Sequence, residues 1–159
     1  LYVASTLPYK NHLRLLKAFS ILKKFTEKYT LFITLGSKSD KTSLRIRNEI
    51  KKNNLNVILL EDISRNKLLS YFEKVENLIY PSLFEAYGLP LVEAKRYNMK
   101  IISADLDYAW DLIKPDDFFN PYSSISIFRS LTMVLDVNVP QNEILKPEQF
   151  INKLLKKWM

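Results

Sequence analysis

No cysteine occurs among the 159 residues, so disulfides and thiolate metal sites are excluded and a reducing, cytosolic setting is allowed. Histidine is almost as scarce. His12 is the single copy, too few for a typical zinc site. Glycine appears only at Gly36 and Gly88, where average usage would give ~11. Two isolated glycines cannot spell G-x-G-x-x-G or G-x-x-x-x-G-K-S/T, which removes the ordinary dinucleotide and P-loop readings. There is no G-x-S-x-G elbow, hence no α/β-hydrolase nucleophile. No apolar run approaches the ~20 residues that cross a bilayer. The chain opens without methionine or a basic leader. Leu1-Tyr2-Val3-Ala4-Ser5 reads as a strand already under way, in a segment cut from something longer.

What is present is ordinary globular composition, 47% hydrophobic and 26% charged, in a length that suits one domain over residues 1–159. The net charge of +7, from 24 basic against 17 acidic residues, favours anionic company such as a phosphorylated ligand or an acidic membrane surface. A solvated basic surface is the plainer alternative. Pairs such as Lys23-Lys24, Lys51-Lys52 and Lys156-Lys157 are scattered rather than massed, which argues against a nucleic-acid partner.

Hydrophobic periodicity alternates along the chain. Leu13, Leu16, Phe19, Leu22 and Phe25 predict an amphipathic helix over residues 11–28 with Asn11 as its cap. Residues 30–35 read as a strand, and Leu44, Ile46 and Ile50 as a short helix. Val57-Ile58-Leu59-Leu60 has the look of a buried parallel strand, followed by a helix capped by Ser64. A strand at 78–80 ends at Pro81, and Pro90 opens a helix to about Tyr97. A strand at 101–103, a helix at 108–113, a helix capped by Ser123 or Ser124 through about Leu135, and a last helix from Pro147 complete the reading. Strand-helix alternation of this kind predicts an α/β fold, a Rossmann-like doubly wound parallel sheet. Ligands of such sheets bind at the carboxyl ends of the strands, where the order reverses. With the common order three-two-one-four-five, the loops at residues 6–11 and 82–89 should meet there.

The second of these loops is the richest in chemistry. Glu85 leaves a strand, Gly88 permits close backbone approach, and Leu89-Pro90 begins a helix whose positive end suits phosphates and sugar oxygens. Glu93, one turn on, could reach a diol. The two glutamates are acceptors fitted to hydroxyl-rich ligands, although a solvated loop glutamate and a dipole-complementing one would look the same. Lys10, ahead of a helix, could neutralise a diphosphate or simply be solvated. His12 reads as a polar helix-start residue rather than a general base. Asp105-Leu106-Asp107 forms a D-x-D that we take as coincidental.

The segment Pro81-Ser82, Glu85, Tyr87-Gly88-Leu89-Pro90 and Glu93-Ala94 resembles the signature of the group 1 (family four) retaining glycosyltransferases of the GT-B fold. In that pattern two glutamates stand with seven residues between them. The start, Val3 to Asn11, is similar to the family's V-G-S-x-x-P-x-K-N opening of the donor domain. Leu60 to Ser64 is similar to the loop after its third strand, and Phe118 to Pro121 to its F-x-P segment. The resemblance implies the C-terminal, donor-binding domain alone, with the N-terminal acceptor domain as a missing partner. It further implies a nucleoside-diphosphate sugar as substrate, no cofactor, no metal, and retention of anomeric configuration.

By the same resemblance Glu85 contacts the transferred sugar, and Lys10 pairs with the diphosphate as it departs. Backbone around Tyr87, Gly88 and Leu89 binds sugar and phosphate oxygens, Glu93 binds ribose, and Asp62 and Ile63 lie against the base. Ser5 stands where many members have arginine. Ala4 and Ala86 replace usual glycines, and Lys95-Arg96-Tyr97-Asn98 replaces small residues. The implied setting is hexosyl transfer in bacterial surface polysaccharide or lipopolysaccharide synthesis, in the cytoplasm or peripherally on the inner face of the membrane. The rival readings are one half of a GT-B sugar-nucleotide epimerase and a non-catalytic binding module.

Overall fold

In the computed structural model, which describes residues 1–35 and 40–140, the elements run in the predicted alternation. They are α1 (His12–Leu22), β1 (Leu31–Leu35), α2 (Lys41–Lys52), β2 (Val57–Glu61), α3 (Arg65–Lys74) and β3 (Asn77–Tyr80). After these come α4 (Leu89–Arg96), β4 (Lys100–Ala104), α5 (Asp107–Leu112), β5 (Asp117–Phe119) and α6 (Ser124–Val134). Every strand pairing is parallel: β1 with β2, β3 with β4, and β4 with β5.

The opening residues join these two sets. Tyr2 N–H donates to Phe32 O at 2.7 Å and Tyr2 O accepts from Thr34 N at 3.0 Å, while Leu1 O accepts from Ile79 N at 2.9 Å. The spatial order is therefore β2, β1, the opening segment, β3, β4, β5, with the reversal between the opening segment and β3. This is the predicted order with one strand added. The opening segment is shorter than the expected strand, since its ladder is a bridge from Tyr2 to Ile33.

Burial follows from this arrangement. Ile33, Leu78, Ile101 and Ile102 are buried in the middle of the sheet, and Leu15, Leu16, Phe72 and Leu91 cover it from the helices. Each such side chain stabilises the fold by about 1.5–3 kcal/mol through apolar surface removed from water. α1 packs on α2 and α6, whereas α4 packs on α5, β3 and β4. Rings of β1 and α3 meet at Phe32 and Tyr71, and rings of Phe72 and Tyr97 join α3 to the end of α4.

Four expectations need correction. Helix α1 stops at Leu22, because the amides of Lys24 and Phe25 bond three residues back in a tightened last turn. Asn11 stands before that helix but its side chain does not cap it. The strand at 57–61 is not buried on both sides. Among the described residues it pairs only with β1, and Ile58 is 45% exposed. β5 was not foreseen, since Asp117-Phe118-Phe119 is too short to show a period. The caps at Ser64 and Ser123 do form, each hydroxyl accepting from an amide three residues on. Gly36 and the helix expected from Pro147, with Phe150, Leu154, Leu155 and Trp158, lie outside the described residues. Among the described residues no helix is long and apolar enough to cross a membrane.

Candidate functional site

The loops after the opening segment and after β3 meet at the carboxyl ends of the strands. Leu83 N–H donates to Tyr9 O at 2.8 Å, joining one loop to the other. Asn11 sits in the left-handed region at φ 63°, a conformation asparagine tolerates better than most residues. There its buried amide donates to Pro81 O at 3.0 Å and Pro121 O at 2.8 Å. Just ahead of Asn11 the chain makes a 3-10 turn, Pro8–Lys10, started by proline. The Tyr2 hydroxyl donates to the last carbonyl of that turn, Lys10 O. The backbone of Lys10 is thereby fixed from the sheet below.

That fixing aims the lysine at Glu85. Lys10 Nζ donates to both carboxylate oxygens, at 2.7 and 2.8 Å, with the two side chains 12% and 8% exposed. A charge pair so shielded from water is held strongly, and removing either partner would strand the other. Tyr80, the last residue of β3, is buried beside it. Burial, with the adjacent Glu85 carboxylate adding to it, pushes the Tyr80 phenol well above its ordinary range, so it remains a neutral phenol. The Tyr108 hydroxyl donates to Ser82 O at 2.8 Å and supports the loop from the α5 side.

A cleft of about 510 Å³ opens over this pair. Ser5, Lys10, Ile63, Glu85, Tyr87, Gly88 and Leu89 all line it. No side chain caps α4, so the positive end of its dipole faces the cleft through Gly88, Leu89 and Pro90. Gly88 has φ 56°, and a Cβ there would come within 2.7 Å of Leu112 Cδ1. Its glycine requirement thus arises from a left-handed turn pressed against α5, not from ligand approach alone. Phe84 and Tyr87, 64% and 69% exposed, form the rim, where Phe84 meets the Tyr9 ring edge-on.

Glu93 and Asp62 are not among the lining residues. Glu93 is bound by the Arg65 guanidinium at the start of α3. Asp62 is exposed, with its backbone in the left-handed region at φ 45°. His12 lies beside the other cleft described below, not over Glu85. It is buried against the Tyr2 ring with neither nitrogen hydrogen-bonded. Burial first, and the Lys10 charge second, lower its pKa to about 4, so the ring is neutral near pH 7. Of the D-x-D pair, Asp105 accepts from Trp110 Nε1 at 2.9 Å. Among the described residues no group of His, Asp or Glu side chains is placed to hold a metal.

Sequence reasoning gave Tyr80, Thr34 and Arg65 no part in the site, and Asn11 no part beyond a helix cap and the end of the opening motif. Tyr80 could have been found as the residue closing a strand just before the glutamate loop. Thr34, whose hydroxyl bonds both the N–H and the C=O of Ala4, could not, since its role depends on which strands are neighbours.

The family model described as glycosyl transferases group 1 matches residues 1–148. The O-antigen chain mannosyltransferase RfbU of Salmonella typhimurium is 29% identical over 128 residues, covering 74% of this chain and 34% of that protein. The serotype-specific mannosyltransferase WbdA of Escherichia coli is 31% identical over 101 residues, covering 62% of this chain and 12% of that protein. The chain therefore spans about a third or less of the length of these relatives. Among solved structures, Anabaena HepE in complex with UDP and glucose superposes with a TM-score of 0.72 at 15% identity, covering 85% of this chain and 38% of that one. With the signature loop in the place its chemistry requires, a matching fold and a family match over nearly the whole sequence, the chain belongs to the glycosyl transferases group 1.

Proposed function

We propose that this chain holds the nucleoside-diphosphate sugar of a retaining, metal-independent glycosyl transfer in bacterial surface polysaccharide or lipopolysaccharide synthesis. The observation that carries the reading is the shielded Lys10–Glu85 pair at the open N-terminus of α4. A cation suited to a diphosphate and a carboxylate suited to sugar hydroxyls stand at one point, each serving as the other's partner. An arriving donor exchanges those partners. Its diphosphate takes Lys10 and the backbone amides of Gly88 and Leu89 at the start of α4, and Glu85 turns to the sugar. Binding that swaps one charged contact for another avoids leaving a buried charge bare.

As the bond from the anomeric carbon to phosphate breaks, negative charge gathers on the leaving diphosphate. Lys10 and the α4 dipole stabilise it there. Glu93, steadied by Arg65, receives the ribose hydroxyls, and the backbone at Asp62 and Ile63 lies along the base. The acceptor, held by a domain outside this chain, attacks with its hydroxyl the face the diphosphate leaves and passes its proton to the departing phosphate oxygen. Retention and the absence of a metal rest on the family resemblance. Mannose is the first sugar to try, because RfbU and WbdA are named mannosyltransferases. We place the reaction on the cytoplasmic side, where the net positive charge suits a resting place on anionic lipid.

Thermal-shift and calorimetric titration with UDP-, GDP-, ADP- and dTDP-sugars tests this. One nucleotide should raise the melting temperature in the presence of EDTA, and Lys10→Ala and Glu93→Ala should each weaken binding at least tenfold. Indifference to all four nucleotides would leave a binding module of another kind.

A further inference from the structure

On the far side of the Pro8–Lys10 turn lies a second cleft, of about 650 Å³. Consecutive residues divide between the two clefts. Tyr9, Lys10 and Glu85 face the donor side, whereas Pro8 and Leu83 face this one. Its lining carries three cations, Arg14 and Lys17 from α1 and Arg45 from α2, and no carboxylate. Asp40, the acid at the start of α2, has its carboxylate oxygens bonded to Ser43 and Thr6. Arg14 is held in place, donating to Asn11 Oδ1 at 2.8 Å and to Pro121 O at 3.3 Å. Lys17 and Arg45 have no acidic partner among the described residues.

Two further observations converge there. α1 begins at this cleft with no side-chain cap, which leaves its first-turn amides and the positive dipole end free. His12, 2% exposed, lines the cleft, and neither ring nitrogen has a hydrogen-bond partner. The hydroxyls of Thr42, Tyr122 and Ser124 complete a set made up mostly of donors. Three like charges gathered around an uncapped helix start repel one another until an anion balances them.

We infer that this cleft is a second anion subsite, taking a phosphate- or diphosphate-bearing ligand other than the sugar donor. Its volume exceeds that of a single ion, so the anionic group arrives attached to something larger. The inference stands independently of the donor reading.

The test is a titration of the 159-residue chain with inorganic pyrophosphate, with and without saturating UDP, followed by amide NMR. Pyrophosphate should shift the His12 and Arg14 amides while UDP is bound, and raising the salt should weaken it. The Lys17→Ala/Arg45→Ala variant should bind it at least tenfold less tightly and keep its UDP affinity within twofold. Loss on Lys10→Ala with no change in Lys17→Ala/Arg45→Ala would put the anion in the donor cleft and overturn the proposal. Absence of any pyrophosphate shift would overturn it as well. If UDP fails to bind, whichever of the four nucleotides does bind takes its place; if none binds, the donor reading falls, while the comparison of variants still decides this one. Co-sedimentation with phosphatidylglycerol vesicles, against phosphatidylcholine, identifies the source. Vesicle binding lost in Lys17→Ala/Arg45→Ala means a lipid-borne phosphate, and pyrophosphate binding without vesicle binding means a soluble one.

Discussion

His12 illustrates how a single side chain can be misjudged from its type alone. A lone histidine beside a helix start invites a catalytic role, yet the ring is packed on Tyr2 and kept neutral by burial. Its pKa falls from 6.5 unfolded to about 4 folded, so between those values the unfolded chain binds the extra proton. The stability this neutral ring contributes is complete above pH 6.5 and is lost as pH falls toward 4, on the order of 3 kcal/mol at most. Urea unfolding at pH 7.5, 5.5 and 4.5 should show that decline, and His12→Phe should flatten it. Equal decline in both proteins would refute the assignment. Asp40, lowered to about 2 by its bonds to Ser43 and Thr6, acts in the same direction at lower pH. Its stabilisation is present above about 3.8 and fades toward 2, below the histidine window. Gly88 teaches a related lesson. Scarcity of glycine marked the position as required, but the reason lies in Leu112 and a left-handed turn, neither of which one sequence displays.

Between elements, the decisive contact is the ion pair across the two loops. Sequence reasoning named Lys10 and Glu85 separately, and the expected strand order placed their loops together. It could not show that they bind one another, because that depends on the 3-10 turn and on the Tyr2 bond to Lys10 O. A shielded pair of this sort is weak evidence of stability, since desolvation offsets much of its attraction. We therefore expect Lys10→Met and Glu85→Leu each to destabilise the fold by about 2–4 kcal/mol, each leaving one charge unpartnered. The combined variant should recover most of that loss in chemical denaturation while binding no nucleotide. Additive losses in the combined variant would show that the two side chains contribute independently, and would refute the coupling. The elements misread from sequence failed for local reasons. β5 has three residues and no period, α1 tightens before its apolar stripe ends, and β2 is apolar although among the described residues it is an edge strand with Ile58 partly in water.

Across the whole molecule, alternation of strand and helix was legible because the helical stripes and short apolar strands are distinct in period. The reversal of strand order was legible only as a common pattern, and the bonds of Leu1 and Tyr2 make it a fact. The chain covers about a third of its curated relative RfbU, and on our reading it carries donor groups without acceptor groups. Incubated alone with the best-binding sugar nucleotide and candidate acceptors, it should show nucleotide affinity and no transfer. Turnover by this chain would mean that the acceptor site is here too.

The bonds that fasten the two loops also bear on how such a cleft can diversify. Leu83 is clasped to Tyr9, and Asn11 grips the carbonyls of Pro81 and Pro121 from a single amide. Lengthening either loop by one residue would pull one of these anchors out of register. New substrate preference in this scaffold should therefore arise by exchanging side chains on the rim, at positions such as Phe84 and Tyr87, while the spacing from Tyr9 to Asn11 and from Pro81 to Gly88 stays fixed.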